Sequence, residues 1–333
     1  MNKINQILAL ALAGQIALAA WLLQDEPVAP TGRTLVFPGF SADAATKIEV
    51  SGPELGSGDN SIKTVHLVKQ GKQWGLGEVD DYPVRNETVS ELLGIIRKLT
   101  TGPKVTSRSV HHAKLKVAED SFERRIVIKY TAEEAGQKSE RTIDFYIGTK
   151  PHRDRTHFRQ ASSDDVYVVP EIDSWDIGIT DGFWVEKEYV SVPDEELRAV
   201  KIRNKNGEFV LERDAEQKWS VAGWDASKPL NRVDVAAMAK RASSVELAQP
   251  LSKAVKKGYG LNTPVARVTL FSSSSTAAPP NQWAQVNYSI GGPSIDEHYY
   301  VKSDRSAYVA KVRPIEVNAM VDLSLTALEE KKE

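Results

Sequence analysis

Residues 61–100 and 207–246 carry one pattern twice, which restricts the chain to folding as two like units. The first stretch reads SIKTVHLVKQGKQWGLGEVDDYPVRNETVSELLGIIRKLT and the second GEFVLERDAEQKWSVAGWDASKPLNRVDVAAMAKRASSVE. Each gives an alternating strand, a polar turn, a tryptophan (Trp74, Trp219), a variable loop, a proline (Pro83, Pro229) and then a helical pattern. Val89, Leu92, Leu93, Ile96 and Leu99 are spaced to line one helix face, as are Val235, Met238, Ala242 and Val245 in the second copy. Asn86 or Glu87, and Asn231 or Asp234, offer N-capping or first-turn negative charge.

The correspondence runs on downstream. RRIVIKY (124–130) faces ARVTLF (266–271), and DFYIG (144–148) faces NYSIG (287–291), each ending in a glycine turn. HFRQASSDDVYVV (157–169) faces HYYVKSDRSAYVA (298–310), both patterned as hairpins around a polar turn. The sequence therefore predicts an α+β body of two tandem copies, each a mainly antiparallel sheet with a helix packed on it. The copies are placed at 45–190 and 191–328. The stretch 181–193 links them, and the Ser-rich stretch 272–280 is an insertion in a second-copy hairpin.

A separate signal precedes the body. Residues 7–23 are uncharged, with Lys3 before them and Asp25-Glu26-Pro27 after. A helix there spans about 25 Å, the short end of what a bilayer core accepts. The lysine before and acids after it favour an inside amino terminus, and Trp21 sits at an interfacial position. The expected arrangement is a membrane anchor or signal segment at 1–26, a Pro/Gly/Thr-rich tether at 27–44, and a body outside the cytoplasm. Ala11-Leu-Ala13 and Ala17-Leu-Ala19 leave cleavage open. If the anchor is kept, Ala9, Ala13, Gly14 and Ala17 form a small-residue stripe that lets a partner helix approach closely.

Gly258-Tyr259-Gly260-Leu261-Asn262-Thr263-Pro264 is the clearest motif, alongside the repeated W, P-plus-helix, I-G and Y-V elements. Together they resemble a bacterial family of unknown function, domain-of-unknown-function family 4340. Its members tend to accompany gliding-motility-type ABC transporter components, and the turn resembles that family's (Y/F)GL(D/N)xP turn. The first copy has His112-Ala-Lys-Leu115-Lys-Val-Ala instead. Lacking the glycines, it is expected to lose the tight turn. The resemblance spans most of 45–325. It implies an accessory envelope component, with an ABC permease or other envelope proteins as partners, and brings no catalytic residue and no cofactor.

No phosphate loop, dinucleotide fingerprint, HExxH or GxSxG is present. The chain has no cysteine, which removes disulfides, thiolate chemistry and cysteine-ligated metals. A net charge of −2 gives no reason to expect nucleic acid. His152, Asp154 and His157 have the chemistry of a metal site, but odd spacing along a strand sends side chains to opposite faces. His111-His112 reads as a solvated loop within the basic stretch 97–129, whose acids make it a mixed-charge surface. Asp80-Asp81 and Asp164-Asp165 read as turns. Trp74 and Trp219 read as core anchors before sugar platforms. The resulting expectation is a non-enzymatic auxiliary subunit of an envelope ABC transport system. The alternatives are a free-standing binding protein for a polymer or lipid, using a groove between copies, and a hydrolase with an unrecognised site.

Overall fold

The computed structural model describes Gln15 and residues 34–330 except 55–60, 135, 171, 215 and 277. The anchor segment, with Ala9, Ala13, Gly14 and Ala17, lies outside the described residues. Among those described, no helix is long and apolar enough to cross a membrane.

The body is α+β, with two nine-stranded sheets in which every strand pair is antiparallel. The first holds β1 (Ala45–Pro53), β2 (Ile62–Gln70), β3 (Gln73–Leu76), β4 (Tyr82–Pro83), β5 (Lys104–Thr106), β6 (Arg124–Glu134), β7 (Gln137–Ile147), β8 (Arg155–Gln160) and β9 (Val166–Pro170). The second holds β10 (Glu188–Ser191), β11 (Leu197–Asn204), β12 (Gly207–Arg213), β13 (Trp219–Val221), β14 (Ser244–Pro250), β15 (Ala266–Ser272), β16 (Ala284–Pro293), β17 (Tyr299–Ser303) and β18 (Val309–Val312).

Their spatial orders are β4-β3-β2-β1-β6-β7-β8-β9-β5 and, from the opposite edge, β13-β12-β11-β15-β16-β17-β18-β14-β10. Without β4 and β10 the two orders coincide strand for strand. Each half holds more strands than the sequence pattern marked. β1 and β11 run through the middle of their sheets, and β5 and β14 return beside β9 and β18.

Helix α1 (Asn86–Lys98) lays Val89, Leu92, Leu93 and Ile96 on the first sheet, and its basic last turn suits the negative helix end. Fully burying such a side chain contributes roughly 1.5–3 kcal/mol. Arg85 rather than Asn86 occupies its cap position. Asn86 instead accepts the Trp74 N–H (3.1 Å) and donates to Gln73 Oε1 (3.0 Å), tying helix to hairpin. In the second half, Asn231 does cap α4 (Arg232–Ser243), accepting from the Val233 and Asp234 amides. Val245, counted with that helix by spacing, lies in β14.

The tight turn expected to be absent from the first copy is present. After the short helix α2 (His112–Leu115), Lys116 adopts the left-handed φ of 58° that Gly260 supplies (φ 67°) in the second copy. Each turn brings a carbonyl onto the glycine of an I-G pair. A Cβ on Gly148 would lie 2.1 Å from the Leu115 oxygen, and one on Gly291 would lie 1.9 Å from the Tyr259 oxygen. These glycines are therefore required by close approach, not by a turn of their own. Because a left-handed backbone costs an L-residue about 1 kcal/mol or more, Lys116→Gly is expected to stabilise the protein by up to about 1 kcal/mol. Denaturant unfolding checks this, with Gly260→Lys moving the other way.

Candidate functional site at the junction of the two halves

Buried apolar residues of both halves form one continuous cluster, which takes in Ile177, Trp184 and Val185 of the connecting segment. The connector ends in a single helical turn, α3 (Asp181–Trp184). Trp184 is 1% exposed and donates its indole N–H to Gly178 O at 3.0 Å. The Arg85 amide donates to Trp184 O at 2.8 Å, and its guanidinium to Phe183 O at 2.7 Å. On the other side α3 rests on β14, close enough that a Cβ on Gly182 would lie 3.0 Å from Ala248 O.

A second set of contacts lies at the β3–β4 turn. Asp80 (φ 50°) and Asp81 (φ 58°) are both left-handed, a conformation that persists only where the surroundings enforce it. Here the other half enforces it. Tyr308 Oη donates to Asp80 O (3.0 Å) and Asp81 O (3.1 Å), and the Lys253 amide donates to the Asp80 carboxylate (2.9 Å). The Tyr308 ring packs on Tyr82 at 4.6 Å between centroids, with the Lys253 ammonium 5.1 Å from it. Tyr189 Oη donates to Tyr308 O at 2.6 Å and accepts the Ser303 amide at 3.1 Å. Burial, then the nearby tyrosines and Glu186, push the Tyr82 phenol up to about 12, so it stays neutral.

Beside this junction a groove of about 380 Å³ is lined by Thr180, Phe183, Lys187, Glu246, Ala248 and Arg313, among others. Its charges are largely paired: Arg313 lies 2.6 Å from Glu316 and 3.6 Å from Glu246. Burial pushes the Asp181 carboxyl up, with Glu78 adding to the shift and Gln249 and Lys63 opposing it. Glu78 itself lies 2.8 Å from His66 Nδ1. What the groove offers a ligand is a mixed polar rim with backbone and aromatic walls.

The residues singled out in the sequence are placed elsewhere. Trp74 (4% exposed) and Trp219 (5%) are walled in, and each is topped by a cation, Lys69 at 5.8 Å and Arg213 at 4.9 Å. Those cations donate to Asp43 O and Asp194 O, carbonyls just ahead of β1 and β11. Both indoles thus serve the core and have no open face for a sugar. Pro83 sits in β4, and Pro229 is exposed, accepting the Glu330 amide at 3.0 Å. Tyr259 is buried and stacks on Tyr300 at 4.2 Å, while Gly258 has open space around it and Leu261 packs toward Gly291.

His112 corrects the solvated-loop reading. It is buried, with Nε2 3.0 Å from Asp164 O, and only His111 is exposed. His152 and Asp154 are exposed while His157 is buried, and no group able to hold a metal occurs among the described residues. Two arginines of the basic stretch, and Arg159 beyond it, are spent internally. Arg124 donates to Ile177 O (2.7 Å), Arg125 forms a two-pronged pair with Asp144 (3.1 and 2.7 Å), and Arg159 donates to Val117 O (2.7 Å).

His157, against Thr149 Oγ1 at 3.0 Å, has its pKa lowered, chiefly by burial. The unfolded chain therefore binds its proton more readily than the folded one. Its contribution to stability is complete above about pH 6.5 and declines as pH falls below that, toward the depressed folded value. Unfolding at pH 7.5 and 5.5 should show a loss that is smaller in His157→Gln.

Tyr82 and Trp184 carry no signal in the sequence beyond being aromatic, and Tyr308 is marked only as the tyrosine of a repeated Y-V hairpin. No curated protein and no solved structure matches the chain. A family model does, running from Trp74 through the junction into α4: residues 74–233 match the family described as a domain of unknown function (DUF4340).

Proposed function

We propose that this chain is a non-enzymatic accessory protein of the cell envelope, held by its N-terminal segment with the two-lobed body outside the cytoplasm. There it acts as an interaction module for an ABC transport system. The two lobes are read as tandem copies of one ancestral unit, which the shared strand order supports. The observation that carries the reading is the junction. Arg85 on the connector turn that holds Trp184, and Tyr308 on the Asp80-Asp81 turn, fasten one lobe to the other, giving one body suited to presenting surface to a partner. The uncharged run 7–23 supports the address, and the family resemblance supports the choice of transporter.

Purifying the full chain from membranes in mild detergent tests this. A permease and an ATPase at stoichiometric yield are the expected result, and their absence overturns the reading. The groove of about 380 Å³ beside α3 favours a second reading, a free-standing binding protein for an envelope polymer or lipid. A chain that elutes alone but retains glycan or lipid, and loses it in Lys187→Ala/Arg313→Ala, would establish that one instead.

A further inference from the structure

The β6–β7 hairpin is in continuous register from Arg124↔Ile147 to Glu134↔Gln137, but β8 pairs only with Phe145–Ile147 at its base. Backbone groups of an antiparallel strand point alternately to its two neighbours. The Ala161 amide donates to Asp144 O (2.9 Å) and the Gly148 amide to His157 O (2.8 Å), so even-numbered residues of β7 face outward from β6. Lys138, Glu140 and Thr142 therefore aim their N–H and C=O off this edge, where no strand neighbours them among the described residues.

The second lobe treats the same edge differently. Beyond β17, β16 has two such residues, and both are capped. Asn287 gives its N–H to the Asp304 carboxylate (3.0 Å) and accepts the Asp304 amide (2.9 Å), while Gln285 O accepts from Arg305 (3.2 Å). A strand edge of this length that nothing caps among the described residues is a template for another strand.

We infer that the outer edge of β7 is the interface at which a second copy of this chain adds its own β7, antiparallel and centred on Ser139. Charge selects both occupant and register. Centred there, Lys138 lies opposite Glu140 of the second copy, and the two-fold axis repeats the pair. Across β6, Lys138 already faces Glu133, so a row of alternating sign crosses the seam. Centring on Glu140 would set like charges opposite each other. Centring on Arg141 would call on Asp144, whose carbonyl and carboxylate are held by Ala161 and Arg125. In the favoured register, Gly136 of the second copy falls opposite Thr142. Beside Thr142 opens a groove of about 430 Å³ bounded by Val36, Phe37, Ala161 and Ser162, with room for that hairpin tip. The seam is shorter than a standard interface, so the expected dissociation constant is on the order of micromolar or weaker.

The chain has no cysteine, so one introduced thiol reports unambiguously. Opposed residues in the non-hydrogen-bonded pairs of antiparallel strands have Cα atoms about 4.5 Å apart, within disulfide range. Under mild oxidant the full-length Ser139→Cys protein is expected to form a covalent dimer, while Gln137→Cys stays monomeric. Adding Glu140→Pro should abolish the cross-link without lowering the melting temperature, because the Glu140 N–H serves no ladder within the chain. In sedimentation, Lys138→Glu is expected to weaken dimerisation about tenfold, and Lys138→Glu/Glu140→Lys to restore it. The inference is overturned if Ser139→Cys stays monomeric, if both cysteines cross-link alike, or if the double charge reversal restores nothing. The reversal decides even where the proline variant does not fold.

Discussion

Replacing Trp184 with alanine is expected to lower stability by about 3–5 kcal/mol, the range for emptying a large buried aromatic site. The indole lies in the connector between β9 and β10, between the Arg85 amide on one side and β14 on the other. Its loss opens a cavity and strands the Gly178 carbonyl that the indole N–H now satisfies. The cost should also appear in cooperativity. Each lobe keeps its own sheet and helix, so with the junction loosened, calorimetry should resolve two transitions in Trp184→Ala where the unsubstituted chain gives one. Phe183→Ala serves as the control. That ring packs edge-on against Trp184 at 5.1 Å but is only partly buried, so it should reduce stability less and leave a single transition. Two transitions in the unsubstituted chain would show that the junction does not couple the lobes.

Local patterns carried the α+β class because they reflect local physics. The alternation of Val65 and Leu67 with polar residues, and the spacing of Val89, Leu92, Leu93 and Ile96, follow from which side chains can reach a core from a strand or a helix. The short β5, Lys-Val-Thr, is too brief and too polar to show a period. Lys116 departs from the sequence pattern for another reason. The glycine rule for left-handed backbone is a preference of about 1–2 kcal/mol, and the hydrogen bonds around the turn, from Thr149 to Leu115 O and from Val117 to His112 O, outweigh it. His112 has basic neighbours that point to solvent, whereas its ring is buried against the Asp164 carbonyl. The junction has no local signal as a junction. Tyr308 and Asp80 meet across 228 positions of chain, and the hairpin and turn patterns that mark each of them say nothing of the other.

Gly148 and Gly291 turn two separate sequence motifs into one contact, and alanine at either should be costly. Neither is among the glycines with positive φ, so backbone conformation alone would permit a side chain. Space does not. At Gly291 the added carbon would lie 1.9 Å from Tyr259 O, and at Gly148 it would lie 2.1 Å from Leu115 O and 2.9 Å from Lys116 O. A carbonyl of fixed backbone cannot swing aside as a side-chain tip can, so the turn must lift from the sheet. In the second lobe this also disturbs the Tyr259–Tyr300 stack, and in the first it lengthens the bond from the Thr149 amide to Leu115 O, now 3.0 Å. Overpacking of this kind costs about 3 kcal/mol. Gly291→Ala is expected to reach that figure and Gly148→Ala to approach it, measured by denaturant unfolding. Gly258→Ala, on the same turn but with nothing within 4 Å of the new carbon, should change stability by less than about 0.5 kcal/mol. If Gly258→Ala and Gly291→Ala were equally disruptive, the glycines would be serving chain flexibility and not close approach.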